Sequence, residues 1–226
     1  MRKFFCIGLL LLSLTSRAQK KEPVGSRWSA TLTGAFTSLP GANIGIQPGV
    51  GYRITKHLAT LTEFTIPTGA RLNKDETVTN TKFFRIQEEV RYCFSQKRHS
   101  GYTYTGIRFS YSTRKFHDPD QGFYSSSQND NDGFFYDAAN VSSPVFTTSF
   151  QFGTLFFIND NFGLDFFCGL GGRFSNTHYA DVINKTPGTR IRPVDGSNIY
   201  ASYSFEGNGS YVHVNTGFRL LWRFGQ

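Results

Sequence analysis

Residues 211–224, YVHVNTGFRLLWRF, carry a period of two that few folds accommodate. One alternate set reads Val212, Val214, Thr216, Phe218, Leu220, Trp222 and Phe224. The other reads Tyr211, His213, Asn215, Gly217, Arg219, Leu221 and Arg223, mostly polar with two arginines. Successive side chains on a strand point to opposite faces, so this is a strand with one apolar and one polar face. A single strand does not say which face is turned toward the protein. The rest of the chain has to.

The same alternation recurs in seven earlier stretches. WSATLTGAFT (28–37) sets Trp28, Ala30, Leu32 and Phe36 on one side. NIGIQPGVGYRI (43–54) sets Ile44, Ile46, Val50 and Tyr52 against Gln47, Gly49 and Arg53. HLATLTEFTI (57–66) sets Leu58, Phe64 and Ile66 against Glu63. TKFFRIQEEVRYCF (81–94) sets Phe84, Ile86, Val90 and Tyr92 against Arg85, Gln87, Glu89 and Arg91. GYTYTGIRFSYSTR (101–114) sets Ile107, Phe109 and Tyr111 against Arg108 and Arg114. PVFTTSFQFGTLFFI (144–158) sets Phe146, Phe150, Phe152 and Phe156 against Ser149 and Gln151. NFGLDFFCGLGGRF (161–174) sets Phe162, Leu164, Phe166, Leu170 and Phe174 against Asp165 and Arg173. Each stretch is about ten residues or longer, the length a tilted strand needs to cross a bilayer.

The connections sort by length. Thr55-Lys56, SQKRHS and NDN are short, whereas the intervening connections are longer, the longest near 115–142 and 175–205. Short turns at one end and long loops at the other are the mark of an outer-membrane barrel. The expected fold is therefore all-β, an eight-stranded antiparallel up-and-down transmembrane β-barrel over 19–226. Its aromatic set faces lipid, and Phe218, Leu220, Trp222 and Phe224 form the lipid face of the last strand. The charged set falls on the other side and is expected to pair across a narrow lumen: Glu63, Glu89 and Asp165 with Arg53, Arg85, Arg91, Arg108, Arg173, Arg219 and Arg223. Two residues resist this scheme. Pro48 has no N–H for a ladder, and Glu88 falls on the lipid side; a bulge at each place is the expected remedy. Ten strands are the alternative if 177–183 and 199–205 both cross, but an extracellular hairpin is expected there.

Composition agrees with alternation. Aromatic content is 16%, with 24 Phe and 11 Tyr, yet the mean hydropathy is −0.33. No internal apolar run approaches the roughly 20 residues of a membrane helix. The first residues, MRKFFCIGLLLLSLTSRAQ, have a basic start, a short apolar stretch and small residues at Ser16 and Ala18. They read as a signal peptide over 1–18. Its removal takes three basic residues and lowers the formal charge from +8 to +5. That mild, ungrouped excess does not point to nucleic acid. Cys93 and Cys168 fall on opposite faces of non-adjacent strands and are expected to be free thiols.

Little in the chain points to chemistry. QNDNDG (128–133) supplies Asp130, Asp132 and Gly133 of a calcium loop but lacks its twelfth-position acid, so no metal is expected. HDPDQG (117–122) is a turn signal. The glycosylation sequons at Asn140, Asn184 and Asn208 are chance matches in a bacterial outer membrane. Five histidines (His57, His99, His117, His178, His213) show no spacing to a nucleophile and an orienting acid. No enzyme and no cofactor are expected. An eight-stranded lumen is just wide enough for side chains to fill, so ion pairs are expected to plug it, with a narrow solute conduit as the alternative. A lipid-modifying barrel enzyme and a soluble lipocalin-like binder are further rivals.

GIQPGVGYRITKHLATLTEFTIP, KFFRIQEEVRYCF, GYTYTGIRFSYSTRKF and VNTGFRLLWRF together resemble the small outer-membrane barrels of Bacteroidota, in the DUF3575-like and porin-like group. The resemblance covers nearly all of residues 19–226. It implies a bacterial outer-membrane location and a barrel in contact with outer-membrane lipid, and carries no catalytic residues. Phe218, Trp222 and Phe224 look like the C-terminal aromatic signal read by the barrel assembly machinery, although Gly225-Gln226 follow the last Phe. The expected protein is a monomer whose extracellular loops meet a ligand or partner.

Overall fold

Aromatic and β-branched residues fit a pleated surface, and each alternating stretch forms a strand. The computed structural model describes residues 27–36, 43–71, 79–94, 101–119, 122–125, 132–189 and 206–224. Their strands are β1 Trp28–Phe36, β2 Asn43–Arg53, β3 Leu58–Arg71, β4 Thr79–Cys93 and β5 Tyr102–Asp118. There follow β6 Gly122–Ser125, β7 Asp132–Tyr136, β8 Ala138–Phe157, β9 Phe162–Ile183, β10 Thr186–Thr189 and β11 Gly207–Phe224. Eight of these close into an antiparallel barrel in the order β1-β11-β9-β8-β5-β4-β3-β2. Each barrel strand thus pairs with the barrel strands before and after it in the chain, and the seam from Trp28↔Phe224 to Thr33↔Arg219 joins first to last. The other three, β6, β7 and β10, form a separate small sheet. The signal-peptide segment 1–18 lies outside the described residues.

Turn chemistry sets the short-turn end. The hydroxyl of Thr55 accepts the backbone N–H groups of His57 and Leu58 at 3.2 and 3.0 Å, fixing the β2–β3 hairpin. Asn159 does the same for Asn161 and Phe162 at 3.0 and 2.8 Å between β8 and β9. Both are turn residues whose side chains bond the backbone two or three residues on. Aromatic rings gather on the outside of this rim: Trp28 lies 4.6 Å from Tyr52, Tyr92 5.6 Å from Phe94, and Phe162 6.3 Å from Trp222.

The orientation is opposite to that of a soluble β-fold. Trp222 is 54% and Phe218 57% exposed, while Arg219 between them is fully buried. Around the wall the outward side chains are Leu32, Ile46, Val50, Phe64, Ile66, Phe84, Ile107, Phe150 and Phe166, among others. Among the described residues the buried side chains are more often polar or charged than apolar. Among the described residues, the buried apolar cluster lies at the far end, where Tyr124, Tyr136 and Ala139 pack with Tyr179 between the small sheet and the barrel. Tyr124 stacks on Tyr179 at 4.1 Å.

Two expectations are corrected. No bulge forms at Pro48: β1 and β2 pair through Leu32↔Pro48, and β2–β3 pairing runs from Ile46↔Ile66 to Gly49↔Glu63 at the same offset. Rungs are skipped without adding a residue, and the shift in this ladder falls instead between Asn43 and Gly45. Glu88 also stays in register, with Thr62 and Phe109 as partners, and remains on the outer face. Thr62 on the neighbouring strand donates its hydroxyl to Glu88 Oε2, so the carboxyl finds a partner without a bulge. Residues 177–183, one half of the expected extracellular hairpin, are strand. They are the upper end of β9, paired to β8 up to Ala138↔Ile183, because those strands run on past the apolar belt. Residues 199–205 lie outside the described residues.

Cys168 is exposed on the wall and Cys93 is buried inside it, both free. A membrane-permeant, apolar maleimide added to the folded protein in detergent is expected to label Cys168 and spare Cys93 until heat unfolds the barrel. Peptide mapping by mass spectrometry reads this directly, and the reverse order of labelling would invert the wall.

Candidate functional site: the charged lumen

The wall places acids and arginines on facing strands. Register makes three of the contacts direct neighbours: Arg219 opposite Asp165, Glu89 opposite Arg108, and Glu63 opposite Gln87. Arg219 is the hub. Its Nε lies 3.0 Å from Glu63 Oε1, its Nη1 2.9 Å from Asp165 Oδ2, and its Nη2 2.9 Å from Glu89 Oε2. Arg91, two residues along the strand from Glu89, donates Nε to it at 2.7 Å and Nη2 to Asp165 at 2.8 Å. Arg108 Nε meets Glu89 Oε2 at 2.9 Å. Three guanidiniums and three carboxylates thus form one neutral cluster.

Neutral donors complete it. Thr33 gives its hydroxyl to Glu63 at 3.1 Å, Gln87 its amide to the same carboxylate at 2.5 Å, and Tyr104 its hydroxyl to Asp165 at 2.9 Å. The Phe167 ring is shared by two cations, with Arg219 at 3.9 Å and Arg108 at 4.4 Å from its centroid. Tyr104 carries Arg91 at 4.3 Å. Taking an ion out of water costs several kcal/mol even after relaxation, and only dense pairing of this kind offsets it. Space for the cluster comes from glycines on the lumen side. A Cβ at Gly49 would strike Glu63 and Thr31, and one at Gly153 would strike the Tyr104 ring.

Of the ten charged residues expected in the lumen network, Glu63, Glu89, Asp165, Arg91, Arg108 and Arg219 meet. Arg53 and Arg223 sit toward the short-turn end, over the rings of Tyr102 and Phe157 at 5.6 and 3.4 Å. They line a cavity of about 30 Å³ with Arg27, Ser29, Arg91 and Tyr102. Arg85 and Arg173 sit toward the other end, Arg85 over the Phe83 ring at 5.2 Å. Sequence reasoning missed Tyr104, Phe167, Gln87 and Thr33 as members. Their parity was readable: Tyr104, Phe167 and Gln87 lie on the same alternate set as the arginines and acids that line the lumen from their strands, and Thr33 lies on the set opposite Trp28, Ala30 and Leu32. Among the described residues, no group of His, Cys, Asp and Glu is arranged to hold a metal ion.

No family model matches this chain, and no curated protein does. Among solved structures, it is similar to a major outer membrane protein from Thermus thermophilus. Identity is 12%, the match covers 89% of this chain and 100% of that one, and the TM-score is 0.43.

Replacing Arg219 by Met leaves three buried carboxylates facing two guanidiniums. Breaking a buried ion pair from one side costs about 3–5 kcal/mol, so the urea midpoint of barrel unfolding, read by gel mobility, is expected to fall sharply. Adding Asp165→Asn restores charge balance and is expected to recover part of that loss, because coupled neighbours are not additive. Simple additivity of the two substitutions would show that the cluster does not act as one unit. In a separate test, Gly153→Val is expected to lower the same midpoint by displacing Tyr104 from Asp165.

Proposed function

We propose that this protein is a bacterial outer-membrane barrel whose lumen is plugged and whose role is carried by the end bearing the long connections. The observation that carries this reading is the inversion of the wall, with aromatic and aliphatic side chains outward and the charges of Glu63, Glu89, Asp165, Arg91, Arg108 and Arg219 buried. In water such an exterior is a large unpartnered apolar surface. In a bilayer it is matched to its solvent, and strand-to-strand closure satisfies the backbone where no water is present. A charge on the lipid face near the midplane costs about 2–4 kcal/mol, which is reason for arginines to lie on the inner set. A soluble lipocalin-like binder does not fit, because its apolar set would line the interior.

The plug is favoured over a conduit by the same cluster. Arg219 bridges carboxylates on three other strands, and the cavity of about 30 Å³ at the short-turn rim has room for only about two waters. The reading assigns the barrel no catalysis and treats it as a monomer. At the long-connection end, the Tyr124–Tyr136–Tyr179 cluster and the ring contact of Lys185 Nζ with Phe134 at 3.8 Å hold the small sheet against the strands that rise from the barrel. That braced surface is the part we assign to an extracellular ligand or protein. The resemblance to the DUF3575-like barrels of Bacteroidota is supported by the quoted sequence stretches alone. Export by the N-terminal segment and handling by the assembly machinery belong to the same proposal.

Two measurements test it. The chain has two tryptophans, Trp28 and Trp222, both on the outer wall. Folded into vesicles, the protein is expected to migrate faster unheated than boiled, and lipids brominated on their acyl chains are expected to quench both fluorophores. Unquenched tryptophans would remove the membrane assignment. In a planar bilayer the native barrel is expected to stay silent; conductance steps that change on Arg91→Gln or Arg219→Gln would replace the plug with a conduit.

A further inference from the structure

The outer wall carries a basic row at the upper edge of its apolar belt. Strand register aligns Lys82 with Lys115, Lys115 with Ser142, and Ser142 with His178, across β4, β5, β8 and β9. Lys82, Lys115 and His178 are exposed and share the outward parity of their strands, and Ser142 stands between the last two. Four residues lower on the same face the aligned row is Ile86, Tyr111, Phe146 and Phe174. Tyr111, Phe146 and Phe174 are exposed. At about 3.3 Å per residue the basic row lies roughly 13 Å above that apolar row, before the strand tilt is allowed for. Phe84 and Pro144 occupy the row between.

Like charges directly opposite on neighbouring strands destabilise a sheet, and Lys82 and Lys115 are such a pair. Among the described residues, Asp181 is an acid above the row, and it accepts Asn140 Nδ2 at 2.7 Å, while Asn140 in turn contacts His117. An anion held between the two ammonium groups relieves their repulsion, and the hydroxyl of Ser142 and the His178 ring extend the set of donors. Lysine stems lie along apolar surface while their heads reach the polar side, which brings both charges to headgroup level. We propose that this row binds the phosphate of a membrane lipid in the leaflet at the long-connection end. Continuity with the apolar belt selects a lipid over a soluble anion, because a phosphate held there has its acyl chains beside Phe84, Tyr111 and Phe146. The proposal rests on the membrane reading above.

The test uses the full chain in phosphatidylcholine vesicles containing a minor fraction of spin-labelled phosphatidic acid, compared with spin-labelled phosphatidylcholine. The native protein is expected to retain the phosphatidic acid label preferentially. Lys82→Gln and Lys115→Gln are each expected to lower that preference about fivefold, while Lys56→Gln at the opposite rim leaves it unchanged. Equal retention of both labels by a barrel whose tryptophans are quenched by brominated lipid overturns the site and leaves the membrane reading intact. Unquenched tryptophans overturn both. Displacement of the labelled lipid by millimolar inorganic phosphate would make the site one for a free anion and overturn the lipid assignment.

Discussion

Closure of the sheet is the constraint on which everything else depends. A strand in an apolar medium must pair its backbone on both sides, and only a sheet joined to itself has no open edge. The seam between β1 and β11 supplies that join with the pairs from Trp28↔Phe224 to Thr33↔Arg219. Once the sheet is closed, alternation ceases to be a matter of one strand at a time. One set of side chains on all eight strands is forced into the interior of the cylinder, and the other is forced outward.

The inner set meets that confinement by neutralising itself. Arg219 ends the seam at one side and reaches Glu63, 156 residues away in the chain, so the closing strand is also tied to the third strand through the lumen. Asp165 lies directly opposite it on β9. The same guanidinium therefore links backbone closure to side-chain closure. Glycines such as Gly49 and Gly153 are part of this arrangement, since their missing side chains are occupied by Glu63 and Tyr104. Large inward rings and long inward charges fit only because small residues stand opposite them.

The outer set is graded by height, and this gives the wall a direction. Trp28, Tyr52, Tyr92 and Trp222 gather at the short-turn rim, aliphatic and Phe side chains fill the middle, and lysines appear at the other rim. Glu88 interrupts the middle and is held there by Thr62. Beyond the belt, β5, β8 and β9 continue upward and carry the small sheet, packed through Tyr124, Tyr136 and Tyr179. Membrane part and projecting part thus share three continuous strands.

Period-two alternation determined the eight barrel strands and their two faces, because side-chain direction along a strand follows from backbone geometry alone. The sorting of short and long connections gave their up-and-down order, and the small sheet of β6, β7 and β10 came only with the tertiary structure. Alternation placed Arg219, Asp165 and Glu89 on one face and Phe218, Trp222 and Phe150 on the other. It left undecided which of the ten charges meet, since that depends on inter-strand register and on the diameter across which a side chain must reach. Arg53, Arg85, Arg173 and Arg223 share the parity of the cluster but sit at other heights, and height is a property of stagger that one strand does not contain. Pro48 and Glu88 show the same division. Read alone each calls for a bulge, whereas in the closed sheet a skipped rung accommodates one and a hydroxyl on the adjacent strand accommodates the other.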